Sequence, residues 1–253
     1  MLQESQPSPL ARYRFLAVIF AMTYPTFLTW IYFSALKDSP GGWQQAAFGI
    51  GKLIQFGFPA AWVFLVERRR FSLERPTTRG LGIALAFGIV QIAAAFALYL
   101  LWLKPAGIFD GPLQEMLAKL RGFGLDSRLG FIALAVGYSL VHSWMEEYYW
   151  RLFVLNELQR TEQTSDLLPR HYAQALIISS LAFAAHHVIV LAGYFGWASP
   201  WTYVFSAAVA MGGAIFGWLY IRSRSIYAPW LAHAFADAAI FLIGYDLLAA
   251  ALR

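Results

Sequence analysis

Residues 142–151 read HSWMEEYYWR, set in a chain that is otherwise almost all apolar around them. Two carboxylates stand side by side, Glu146 and Glu147, with Arg151 and His142 within three helical turns. On a helix Glu147 and Arg151 are four apart and meet as an ion pair. Glu146 lies about 100° round from Glu147, four residues after His142, so it is not bound to share the arginine. One acid is paired and the other is left available. Apolar surroundings and an adjacent carboxylate are the conditions that fit a glutamate for general-base work on a water molecule. Two more polar groupings interrupt later apolar runs. SSLAFAAHHVIVL places His187 four residues after Phe183, with His186 rotated off that face. SIYAPWLAHAFADAAI places Asp237 four residues after His233.

The elements that must position these groups are membrane spans. The chain has 253 residues, of which 59% are hydrophobic and 13% charged, with a mean hydropathy of +0.54. A soluble domain is about a quarter charged. Seven runs reach the roughly 20 residues a bilayer crossing needs: 15–36, 44–66, 80–103, 130–158, 173–194, 201–221 and 225–249. The expected fold is therefore an all-α polytopic membrane protein of about seven transmembrane helices. It forms one membrane domain over 1–253, with its chemistry in 130–249. The absence of cysteine excludes disulfides, thiolate metal sites and a cysteine nucleophile. The polar start, MLQESQPSPLARYR, reads as a short tail, with no small-residue cleavage site behind an apolar core.

A pI near 9.5 does not point to nucleic acid here, because the basic residues cluster at the ends of apolar runs. One side of the membrane carries Arg12, Arg14, Arg68, Arg69, Arg70, Arg75, Arg79, Arg160, Arg170, Arg222 and Arg224. The other carries Lys37, Lys104, Lys119, Arg121, Arg128 and Arg253. The richer side is expected in the cytoplasm, with the N-terminus inside, the C-terminus outside, and the protein in the cytoplasmic membrane. The 104–129 loop falls outside. Its Leu113, Met116, Leu117 and Leu120 make the apolar stripe of an amphipathic helix. Such a helix either lies on the membrane surface or caps the bundle, and its sequence allows both.

Ionisable groups inside spans cost about 2.5–3.5 kcal/mol each on insertion scales, which makes them functional suspects. Here they are Lys52, His142, Glu146, Glu147, Arg151, His186, His187, His233, Asp237 and Asp246. The competing reading for any one of them is a structural ion pair between helices. At about 1.5 Å rise per residue, Glu146, His187 and His233 all fall at hydrocarbon depth and are expected to meet in one cavity open to the cytoplasm. There is no H-E-x-x-H zinc signature. A metal held by His142, Glu146, His187 and His233 remains an alternative on donor type alone.

In order, EEYYWR is an E-E-x-x-x-R motif, FAAHH contains F-x-x-x-H, and HAFAD is H-x-x-x-D. The ordered triplet, over about residues 130–245, resembles the CPBP family of CAAX prenyl proteases and bacteriocin-processing (Abi) enzymes, which are glutamic intramembrane proteases. The resemblance implies an intramembrane endopeptidase acting without a cofactor on a membrane-embedded or lipidated peptide or protein. By position it assigns Glu146 to activating water and His187 to positioning or polarising it. His233 and Asp237 fall at the oxyanion positions, and Glu147, Arg151 and Phe183 at supporting ones. Many relatives have Asn at the last place, and Asp237 donates a hydrogen bond only if protonated. It is then expected to orient His233 instead. His142 and His186 lie outside the motifs and read as structural. A non-catalytic membrane scaffold of the same fold is the reading from another class.

Overall fold

The computed structural model describes residues 9–37, 39, 42–68, 77–164 and 172–253, and the side chains of these except at 9–12 and 161–164. Arg69, Arg70, Arg75 and Arg170, and the side chain of Arg12, all invoked for orientation, lie outside the described residues. The described chain is helical, with no strand. Helices α1 (Pro9–Trp30), α2 (Trp43–Ala61) and α3 (Leu81–Leu98) each run on into a π-helical end, Ile31–Ala35, Trp62–Val66 and Tyr99–Leu103. A short α4 (Pro112–Gly122) follows. Then α5 (Arg128–Val136), α6 (Ser143–Glu147) and α7 (Asn156–Thr164) are joined by π-helical segments, Gly137–His142 and Tyr148–Leu155, into one unbroken rod. The long helices α8 (Tyr172–Phe195), α9 (Pro200–Ser223) and α10 (Tyr227–Leu248) complete the bundle.

Six helices are long and apolar enough to cross a membrane: Tyr13–Ala35, Trp43–Val66, Leu81–Leu103, Tyr172–Phe195, Pro200–Ser223 and Tyr227–Leu248. These correspond to six of the seven expected spans. The expected fourth, 130–158, is not among them. The rod that contains it carries the acid pair, Arg151 and His142, and these dilute its apolar character. It nonetheless runs between the same two ends of the bundle as its neighbours. At one end Arg14 of α1 pairs with both Glu67, just past α2, and Glu157 of α7, each at 3.1 Å. At the other, Arg253 forks onto Asp126, just before α5, and Lys104, just past α3, reaches Asp246 of α10 at 2.6 Å.

The outer faces carry large exposed apolar side chains, as a lipid-facing belt requires. Leu101 is 81% exposed and Leu53 76%. Inside, the main core gathers around the rod: Tyr149, Trp150, Phe153, Val154 and Leu155 pack on Val18 and Ala21 of α1, Val63, Ala175 and Phe183. Small residues let the helices approach, as they do where lipid offers no hydrophobic drive between helices. A Cβ on Gly88 of α3 would lie 2.5 Å from the Phe235 ring of α10. One on Gly213 of α9 would lie 3.0 Å from Phe183 and 3.5 Å from the Ser180 backbone of α8.

The structure decides between the two readings of the 104–129 loop. Leu117 and Leu120 of α4 are buried against Phe131, Leu248 and Leu252, with Leu113 and Met116 packed beside them. The amphipathic stripe therefore caps the bundle. Lys119 stands over the Tyr32 and Phe33 rings at 4.7 and 5.1 Å, fastening α4 to the end of α1.

Candidate active site

The rod holds both acids on α6, a single turn of α-helix between two π-helical segments. Such segments are rare and frequently lie at functional sites, because they change which residues share a face. Their carbonyls are covered from the side. Ser143 Oγ donates to Ser139 O at 2.6 Å, Trp230 Nε1 of α10 to Leu140 O at 2.9 Å, and Asn156 Nδ2 to Leu152 O at 3.2 Å.

The two glutamates are held very differently. Glu147 is fully buried between two partners: Arg151 Nε at 3.1 Å from one oxygen and His233 Nδ1 at 2.8 Å from the other. Arg151 also donates through Nη2 to Gly213 O at 3.0 Å. Its guanidinium lies over the Phe183 and Phe216 rings, 5.2 and 5.8 Å from their centres. The ion pair thus ties the rod to α8, α9 and α10 together. Glu146 is also buried, at 2% exposure, yet its nearest polar neighbours stand back. Nε2 of His142 and His186 are 3.7 and 3.9 Å from Oε1, and Nε2 of His233 is 3.7 Å from Oε2. These separations are longer than a direct hydrogen bond.

Around this centre the rings are ordered by stacking. Phe183 has its ring centre 5.0 Å from His187, 5.8 Å from His186 and 5.9 Å from His233. Phe216 stacks on His233 at 4.7 Å, Tyr138 on His142 at 4.3 Å, and Trp150 lies parallel to His186 at 6.2 Å. His187 Nδ1 is 3.0 Å from Phe183 O, which only accepts, so that nitrogen carries the hydrogen and Nε2 is the ring's available atom.

The structure brings Glu146, Glu147, Arg151, Phe183, His233 and Asp237 into one cluster. His187 joins it through Phe183 and through His186, 4.1 Å away between ring centres. Two details differ from the sequence reading. His142 and His186, read as structural, are the residues that flank Glu146 with His233. His142 was signalled by its place four residues before Glu146. Nothing in the HH pair distinguishes which ring turns inward, and Phe216 has no motif around it. The carboxylate that hydrogen-bonds His233 is Glu147, whereas Asp237 Oδ1 is 3.7 Å from the opposite ring nitrogen. The other Asp237 oxygen, Oδ2, is buried and has no hydrogen-bond partner among the described residues. Among those residues, no group of three or more His, Cys, Asp or Glu side chains is arranged to hold a metal ion.

The cluster lies within the stretch of the chain that a comparison with known proteins matches. Residues 128–239 match a family model, Rce1-like, described as type II CAAX prenyl endopeptidase. No curated protein and no solved structure matches the chain. The matched stretch takes in Glu146, Glu147, Arg151, Phe183, His187, Gly213, His233 and Asp237, and in it the chain is similar to the type II CAAX prenyl endopeptidases.

Proposed function

We propose that the protein hydrolyses a peptide bond in a membrane-associated or lipidated peptide, with a water activated by Glu146. The observation that carries this reading is the contrast within the acid pair. Glu147 is fixed at 2.8 and 3.1 Å by His233 and Arg151, while no direct hydrogen bond from another described residue engages Glu146. A general base needs a free oxygen within reach of the proton it takes. Glu146 accepts a proton from water, the hydroxide attacks the peptide carbonyl, and Glu146 returns the proton to the departing amine. His233 keeps one nitrogen on Glu147 and turns Nε2 toward the space shared with Glu146 and Asp237. A proton on that nitrogen makes it the donor to the oxyanion. His187 assists from the neighbouring helix in placing the water, and His142 and His186 close the cage around it. Asp237, when protonated, adds a second donor. The family description supports a prenylated substrate. The rod from α5 to α7 serves as the seventh crossing, which puts the termini on opposite faces, and the basic bias of the sequence puts the N-terminus in the cytoplasm and the C-terminus outside.

The test is Glu146→Gln, compared with wild type in peptide profiles of whole membranes and in cleavage of a farnesylated peptide by purified protein. Losing a general base lowers the rate about 10²–10⁴-fold. The neutral amide is cheaper to bury, so the variant accumulates at least as well as wild type. Chelators leave wild-type cleavage intact. Near-normal cleavage by purified Glu146→Gln overturns the reading. Loss of wild-type activity on chelation, restored by zinc, would replace it with metal chemistry.

A further inference from the structure

Lys52 stands outside the matched stretch and outside every role given above. It is the tenth residue of the Trp43–Val66 span, roughly 14 Å along the helix from that span's start at about 1.5 Å per residue. That is close to the midplane of a hydrocarbon layer about 30 Å thick, too deep for the side chain to snorkel to a headgroup. Its ammonium sits between two phenyl rings of its own helix, 5.4 Å from the centre of Phe48 and 5.3 Å from that of Phe56. No carboxylate among the described residues pairs with it. Ring faces offset only part of the cost of a cation at this depth.

The same phenyl ring leads to the acid pair. Phe56 packs edge-on against His142 at 6.2 Å between ring centres, and His142 Nε2 is 3.7 Å from Glu146. Lys52 is near enough for its charge and that of Glu146 to act on each other without contact. One turn along the same face of α2, Gln55 is fully buried, with neither side-chain amide atom partnered among the described residues. This face of α2 holds a cation and hydrogen-bonding capacity that the fold itself leaves unused.

We propose that Lys52 is the specificity-determining cation of the site, receiving a carboxylate of the substrate on one side of the bond that Glu146 cleaves. An extended chain spans about 3.3–3.6 Å per residue, and the Lys52–Phe56–His142–Glu146 contacts keep Lys52 within a few residues' reach of Glu146. The carboxylate is either the peptide's C-terminus or an acidic side chain close to the cleaved bond. This role rests on the protease reading above.

Three versions of a farnesyl-cysteine peptide ending in three aliphatic residues separate the possibilities: the free acid, its C-terminal amide, and the amide with Glu in place of the second-last residue. KM and kcat are measured on wild type, Lys52→Arg and Lys52→Met, and Kd on Glu146→Gln with and without Lys52→Met. A charge-assisted bond to a carboxylate makes the acid bind about 10–100-fold better than the amide. Lys52→Met abolishes that preference, chiefly through KM, and Lys52→Arg retains most of it. Lys52→Met removes a membrane cation, so it accumulates well. Recovery of affinity by the Glu-containing amide identifies a side chain as the carboxylate, and no recovery identifies the C-terminus. Equal binding of acid and amide, binding of neither, or a preference that survives Lys52→Met overturns the assignment. Acid-selective binding by a wild type that cleaves none of the peptides upholds Lys52 and overturns the protease reading instead.

Discussion

At the scale of single residues, adjacency in sequence produces opposite surroundings. Glu146 and Glu147 are neighbours in the chain, but the turn between them sends one to Arg151 and His233 and the other to a cage of imidazoles. Glu147 is affordable in the bundle because His233 hydrogen-bonds one oxygen and the Arg151 charge stands 3.1 Å from the other. Removing Arg151 leaves a buried acid facing one remaining partner. Arg151→Ala is therefore expected to lose about 3–5 kcal/mol if Glu147 stays charged, read as a lower unfolding midpoint in detergent. Its activity falls along with folded protein. Glu147→Gln keeps the volume but weakens the hold on the His233 ring. Its expected signature is the reverse: modest destabilisation with a lowered kcat and a nearly unchanged KM, measured on the folded fraction.

Elements decide whether those residues meet. The π-helical segments on both sides of α6 are shielded by side chains from the rod and from α10. Arg151 finds its second anchor, Gly213 O, because α9 comes close enough to α8 and the rod at a residue without a side chain. Gly213→Leu places bulk against Phe183 and the Ser180 backbone, and overpacking of this kind costs about 1–3 kcal/mol. The same substitution moves the carbonyl that holds Arg151, so cleavage per folded molecule is expected to fall too, as a peptide assay normalised to folded protein would register. The α4 cap is held by its own apolar stripe against Phe131, Leu248 and Leu252. Leu117→Ala, which empties part of its buried stripe, is expected to cost about 2–3 kcal/mol and to make the 104–127 stretch more sensitive to added protease.

For the whole molecule, the two ends of the bundle are distinguished by their ion pairs. Arg14, Glu67, Glu157 and Arg160 gather at one end, and Lys104, Asp246, Asp126 and Arg253 at the other. The rod runs from the second end to the first, as a seventh crossing would. With the basic excess that the sequence assigns to the N-terminus and to the 67–79 and 159–171 connections, reporters fused at Thr78 and Glu115 are expected to give opposite cytoplasmic and external signals. Identical signals from both would remove the seven-crossing topology.

By itself the sequence determined the membrane class, six spans to within a few residues, and the amphipathic stripe of α4. It also set out the ordered acid and histidine motifs, since each of these depends on periodicity and composition within one helix. Spacing of four residues was enough to pair Glu147 with Arg151 and to set His142 beside Glu146. The family match spans residues 128–239, which contain those motifs. Only the tertiary structure decided that His186 turns its Nε2 to Glu146, that Glu147 and not Asp237 holds His233, and that α4 caps the bundle. It also decided that Phe216 and Gly213, with no motif around them, complete the site. A helix's own pattern says which residues share a face, but not how that face is rotated or how closely a neighbour approaches. Those are set by packing between helices, by glycines that remove a Cβ at a crossing, and by π-helical segments that shift the face in mid-rod.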